Sequence, residues 1–201
     1  VIILIDYGMG NLRSIYMALV RLDCQVKVSN VPADIRRASA LVLPGQGAFG
    51  DAMADLQALG LIEPLVEALQ AGIPYLGICL GLQLLFEASD EQPGILGLGL
   101  LPGRIVRFGD GLTVPQIGWN QVHQECSHPL WDNLAEDSYF YFVHSYYAQP
   151  ALSGDVIGTT EYGCTYVSAV ARGTMLGIQF HPEKSQDTGE AVLRNFVRMC
   201  A

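Results

Sequence analysis

A chain of 201 residues is long enough for one ordinary domain and short for two. With 50% apolar and only 15% charged residues it can bury a sizeable core, which excludes intrinsic disorder. Its net charge of −9, from 11 Lys+Arg against 20 Asp+Glu, repels phosphate backbones and speaks against nucleic-acid binding.

In chain order, residues 1–5 read as a buried strand. Residues 11–22 read as an amphipathic helix, with Leu12, Ile15, Tyr16, Leu19 and Val20 at i, i+3, i+4 spacing. Strands follow over 25–29 and 40–43, the latter ended by Pro44-Gly45. Helical patterns cover 48–59 and 62–71, and Gly72 closes the second. A fourth buried strand over 74–78 runs straight into a predicted helix over 80–88. Strands and helices alternating at this spacing predict βαβ units and a parallel sheet flanked by helices. After Gly94 the texture changes to short segments rich in β-branched and aromatic residues, over 104–108, 116–122, 139–142, 146–149, 156–161, 166–171 and 174–179. These predict an antiparallel region appended in the second half, and a last helix over 188–199 closes the chain. The expectation is one α/β domain over 1–201.

Gly77-Ile78-Cys79-Leu80-Gly81 lies between a predicted strand and a predicted helix. It is the nucleophile-elbow pattern G-x-S-x-G with cysteine in place of serine. Glycines at ±2 let the chain turn sharply and expose Cys79 at the strand end, where a helix N-terminus favours thiolate and offers donors to an oxyanion. By itself such a cysteine reads equally well as a core residue beside a tight turn. Phe180-His181-Pro182-Glu183 supplies what a cysteine nucleophile needs, an imidazole and a carboxylate to orient it. In an extended segment residues i and i+2 share a face, and Pro182 disfavours helix at His181, so His181 and Glu183 are expected to point the same way. Cys79, His181 and Glu183 form the predicted triad.

Gly45-Gln46-Gly47-Ala48-Phe49-Gly50 matches the dinucleotide fingerprint G-x-G-x-x-G. A dinucleotide site wants an acidic residue about 20 positions on, at the end of the next strand, and none occurs between Glu67 and Glu87. The other reading is a donor loop in which the N–H of Gly47 completes an oxyanion hole with that of Leu80. Of the other histidines, His123 and His128 are expected to be exposed in a polar loop, and His144 to serve packing or a hydrogen bond rather than catalysis. Cys24, Cys79, Cys126, Cys164 and Cys200 are odd in number and scattered without a C-x-x-C pair, which favours neither a disulfide framework nor a zinc site. The most apolar stretch, 72–86, is too short and too broken by Pro74, Gly77 and Gly81 to span a bilayer. No basic segment precedes the first apolar run, so the expected location is cytoplasmic, away from membranes.

The segments Gly77–Gln83 and Phe180–Glu183 together resemble the class I (triad) glutamine amidotransferases. Asp6-Tyr7-Gly8-Met9-Gly10-Asn11-Leu12, Pro115-Gln116-Ile117-Gly118-Trp119-Asn120 and Tyr141-Phe142-Val143-His144-Ser145-Tyr146 narrow the likeness to the glutaminase subunits of imidazole glycerol phosphate synthase. Leu82, where many amidotransferases carry His, fits that branch. The resemblance implies a flavodoxin-like parallel sheet with an appended antiparallel region, and hydrolysis of glutamine to glutamate and ammonia without metal or organic cofactor. It implies that Gln83 and the Ser145–Tyr146 backbone hold glutamine. It also implies a heterodimer whose cyclase subunit takes the ammonia in histidine biosynthesis, with Asn11, Ser14, Trp119 and Asn120 near the partner. Trp119 has a second reading as an ordinary core aromatic. Rival functions are the glutaminase subunit of another amidotransferase, such as one serving pyridoxal phosphate synthesis, and a non-catalytic flavodoxin-like binding module.

Overall fold

The computed structural model describes residues 1–200. The first half of the chain runs β1 (Ile2–Ile5), α1 (Leu12–Val20), β2 (Val26–Ser29), α2 (Pro32–Arg36), β3 (Ala40–Leu43), α3 (Phe49–Ala58), α4 (Ile62–Gln70), β4 (Tyr75–Ile78) and α5 (Leu80–Gln83). The second half adds β5 (Phe86–Ser89), β6 (Leu101–Arg107), β7 (Gln116–Gln124), β8 (Ser138–His144), β9 (Tyr146–Pro150), β10 (Val156–Glu161), β11 (Thr165–Arg172), β12 (Met175–Ile178) and α6 (Gln186–Met199).

The strands join in the order β2-β1-β3-β4-β12-β11-β10-β7-β8, with β9 against β11 and β6, and β6 against β5. From β2 to β12 the pairing is parallel, and from β12 outward it is antiparallel except between β5 and β6, which pair in parallel. Because successive side chains of a strand face opposite ways, one unbroken apolar run feeds two layers. Ile2 and Leu4 pack with Ile15 and Leu19 of α1 and with Val192 and Phe196 of α6. Ile3 and Ile5 pack on the other face with Leu56 of α3 and Leu65 of α4. Each such side chain contributes about 1.5–3 kcal/mol by leaving water. No helix among the described residues is long and apolar enough to cross a membrane.

Three elements depart from the sequence expectation. The helix predicted over 80–88 stops at Gln83, and the chain continues as β5. The carbonyls of Leu84 and Leu85 accept from Leu98, Leu100 and Leu101 at 2.8–2.9 Å, so tertiary partners displace the i→i+4 bonds a longer helix needs. The segment over 174–179, grouped above with the appended strands, is central. As β12 it pairs in parallel with β4 and antiparallel with β11, joining the two halves of the sheet. The short α2, unforeseen, starts at Pro32, whose fixed φ suits a first helical position.

Candidate active site

Cys79 stands between β4 and α5 with φ 54° and ψ −107°, a strained conformation for a residue with a side chain. The flanking glycines are explained by close approach. A Cβ at Gly77 would strike the Gly81 carbonyl, and one at Gly81 would strike the carbonyl of Leu43 in β3. The backbone N–H of Cys79 donates to Ile178 at 2.8 Å, which ties the elbow to β12. The helix behind the elbow has only four residues, shorter than expected, so its first N–H groups matter here more than a long helix dipole.

Parallel pairing of Ile78 with Ile178 brings the segment after β12 alongside the elbow. His181 follows within three residues, buried, and its Nδ1–H donates to Glu183 Oε1 at 3.0 Å. The expected extended segment through Glu183 gives way to a single 3-10 turn over Pro182–Lys184, with only His181 extended. Proline restricts the residue before it and itself fits the first position of a turn, so the contact survives by another geometry. Burial alone would lower the His181 pKa. The charge of a Cys79 thiolate first, then hydrogen-bonding attraction to Cys79, short of a formed bond, the hydrogen bond to Glu183 and the charge of Glu183, override it and hold the ring at about 10. Its Nε2 and the second oxygen of Glu183 are buried without a hydrogen-bond partner. With Nδ1–H committed to the carboxylate, Nε2 is the atom free to carry a proton to and from a ligand.

The glycine-rich loop after β3 does not make a phosphate cradle. At the N-terminus of α3, where a phosphate would sit, Phe49 N–H donates to Glu91 Oε2 at 2.8 Å and Gly50 N–H donates to Gln92 Oε1. A carboxylate already fills that place. Gly47 has φ +109° and faces the same cavity as Cys79, Leu80 and Gln83. Gln46, Glu91, His144, Ser145, Tyr146 and Lys184 add polar groups to the wall of this cavity, about 390 Å³ in volume, sufficient for one amino acid.

The family model "Glutamine amidotransferase class-I" matches residues 3–200. The chain belongs to the class-I glutamine amidotransferases. Within that family it is 49% identical to the imidazole glycerol phosphate synthase subunit HisH of Moorella thermoacetica, over 97% of this chain and 93% of that one. It is 48% identical to the HisH subunit of Nitrosospira multiformis, over 98% and 97% of the two chains. Among solved structures, a glutamine amidotransferase superposes with a TM-score of 0.78 at 19% identity over 98% of each chain. PurLQS from Thermotoga maritima gives 0.78 at 17% identity, over 100% and 98%. These two show the shared fold.

The cavity of this amidotransferase depends on residues that motifs alone do not mark. Glu91, remote from every motif, is the one carboxylate on its wall, and Lys184 the one cation, its Nζ 5.6 Å from the centre of the Tyr141 ring. Gln83 donates both amide protons inward, to Tyr146 O at 3.0 Å and to Gln179 Oε1 at 3.1 Å. Its own oxygen is what remains to offer a ligand. His144 is a packing and hydrogen-bonding residue, as expected. Its Nδ1–H donates to Tyr146 O at 2.8 Å, and Nε2 lies 3.2 Å from the Tyr166 hydroxyl. Of the expected exposed histidines, His123 is exposed but lies on β7, paired with Asp137 at 3.1 Å. His128 departs from the expectation, being half-buried where its Nδ1 caps the turn at Leu130.

Burial lowers the His144 pKa to about 4, against about 6.5 in an unfolded chain. The unfolded chain therefore takes up the proton first, and stability falls as pH drops from about 6.5 to about 4. This group should account for a loss on the order of 3 kcal/mol across that window. Urea unfolding of wild type and His144→Gln between pH 4 and 7 should show a shallower fall in the variant. Equal slopes contradict the assignment.

Asn11, Ser14, Trp119 and Asn120 lie outside the cavity. Asn11 Oδ1 caps α1 by accepting from Ser14 N–H at 3.4 Å. Asn120 Nδ2 donates to Glu161 O at 2.8 Å. Trp119 is 46% exposed and Ile117 64%, so the core reading of Trp119 does not hold, and Trp131 is the buried tryptophan. Ile117 pairs with Val143 and Trp119 with Tyr141 across β7 and β8, which puts these four side chains on one face. Val143 also lines the cavity, so this apolar face runs up to the mouth of the site.

Proposed function

We propose that this chain is the glutamine-hydrolysing subunit of an imidazole glycerol phosphate synthase and works through a thioester on Cys79. The observation that carries the reading is the strained Cys79 elbow on the wall of an amino-acid-sized cavity, with the buried His181–Glu183 pair behind it and His181 within reach of the charge on its sulfur. Cys79 thiolate attacks the side-chain carbonyl carbon of glutamine, and the N–H groups of Leu80 and Gly47 hold the resulting oxyanion. His181 delivers the Nε2 proton to the departing nitrogen, the C–N bond breaks, and ammonia leaves a γ-glutamyl thioester. His181 then takes a proton from water, whose oxygen attacks the thioester and releases glutamate with the thiolate restored. Gln83 and the Ser145–Tyr146 backbone hold the amino-acid end, and Glu91 supplies a negative charge for its ammonium group.

The partner in this reading is a cyclase subunit that consumes the ammonia, seated over the exposed face of Ile117, Trp119 and Tyr141. In this reading, by resemblance, Asn11, Ser14 and Asn120 belong to the same contact. An exposed tryptophan beside the mouth of a site is a frequent interface anchor. Hydrolysis without a consumer wastes glutamine, and Gly47 gives its loop a peptide that can turn over at low steric cost. One oxyanion donor is worth roughly 10²–10³ in rate, enough for an off state. Glutamine turnover should therefore rise by about that factor when the cyclase subunit and its ligand are added. Trp119→Ala should fold normally and lose most of the rise. Full activity of the isolated wild-type chain contradicts the coupling and leaves the triad untouched.

A further inference from the structure

Gln179 is wholly buried at the end of β12, beside the elbow, in a position no motif explains. Its Nε2 donates to Cys79 Sγ at 3.4 Å, and its Oε1 accepts from Gln83 Nε2 at 3.1 Å. The orientation of both amides is forced from one end. Tyr146 O is a carbonyl and only accepts, so Gln83 must turn its NH₂ toward it. The second proton of that NH₂ then faces Gln179, which must present its oxygen there. This leaves the Gln179 NH₂ aimed at the sulfur.

We propose that Gln179 is a dedicated hydrogen-bond donor to the Cys79 thiolate, holding the nucleophile charged and oriented before glutamine binds. The proposal rests on the glutaminase reading above. The sulfur's other hydrogen-bond contact, Val143 O at 4.0 Å, is an acceptor and serves only a protonated thiol. His181 Nε2 makes no hydrogen bond in this geometry. Gln179 is thus the group that makes a formed hydrogen bond to a thiolate, His181 faces the same sulfur through its positive charge, and Val143 receives only a thiol. The chain Tyr146–Gln83–Gln179–Cys79 also ties the wall that would hold the substrate to the reacting atom. Displacement of either glutamine side chain would loosen both.

The test follows alkylation of Cys79 by iodoacetamide in the full chain between pH 5 and 10, with the modified peptide identified by mass spectrometry. In Gln179→Leu the pH of half-maximal rate should rise by about one unit, a tenfold loss of thiolate, as expected for removing a hydrogen bond to a charged group. Gln179→Glu keeps the acceptor for Gln83 but turns an oxygen toward the sulfur, and its midpoint should rise further. Glutamine turnover in Gln179→Leu should recover as pH is raised, whereas a packing defect costs the same at every pH. Should neither variant fold, the ¹⁵N-labelled side-chain amide of Gln179 in the wild-type chain should titrate with the same midpoint as the alkylation. An unchanged midpoint in folded variants, or an amide that does not titrate, overturns the proposal. If wild-type Cys79 does not react ahead of the other four cysteines, the nucleophile assignment itself fails.

Discussion

Replacing Cys79 by alanine should reduce glutamine-dependent turnover by on the order of 10⁵–10⁶, the scale seen when a covalent nucleophile is lost. The reason is local. Of the five cysteines, only Cys79 sits where a strand end meets a helix start; it is buried, against the expectation of an exposed thiol, and its strained backbone places it on the wall of the cavity. Cys24, Cys164 and Cys200 are half-buried, and burial pushes the thiols of Cys24 and Cys200 upward, away from thiolate. Cys126 is exposed, in the loop after β7. The same variant, assembled with the cyclase subunit, should keep its ammonia-dependent synthesis, because external ammonia bypasses the thioester. Loss of both activities would mean that Cys79 holds the structure together rather than the chemistry.

The second large effect separates the two remaining members of the triad. His181→Asn should cost about as much as the loss of Cys79, since in the proposed route His181 carries the proton in both half-reactions. Glu183→Gln should cost less, on the order of 10⁴. Glu183 orients the ring through a 3.0 Å bond and stabilises its protonated form, but takes no proton itself. An amide in place of that carboxylate would favour the wrong tautomer and leave a ring that still moves protons poorly. Steady-state glutaminase assays of the complex would rank the two. Wild-type rates in His181→Asn remove the triad from contention.

Much of this was open to reading from sequence because local chemistry and global fold demand the same residues. Buried β1, β3 and β4 admit only apolar runs, and the elbow admits only glycine at 77 and 81, where a Cβ would collide with backbone. The His181–Glu183 pair of the proposed triad is legible because the two are near neighbours in the chain and one turn keeps them together. What escaped reading is decided by distant partners. Leu84 and Leu85 satisfy a helix pattern equally well, and only bonds from Leu98, Leu100 and Leu101 turn them away from it. Glu91 reaches the cavity because it caps α3 from another segment, which no spacing encodes. Gln179 sits one residue before Phe180-His181, but its role follows from sheet register with β4 and from Gln83.

The most direct measurement is mass spectrometry of the wild-type chain, with its cyclase subunit, after reaction with a glutamine-mimicking electrophile. The adduct should lie on Cys79 alone, at one per chain, and glutamine should protect against it. Labelling should fall sharply in His181→Asn, where the thiolate loses its cationic neighbour. An adduct on Cys164, or equal labelling of several cysteines without protection by glutamine, would contradict the elbow as the seat of the reaction.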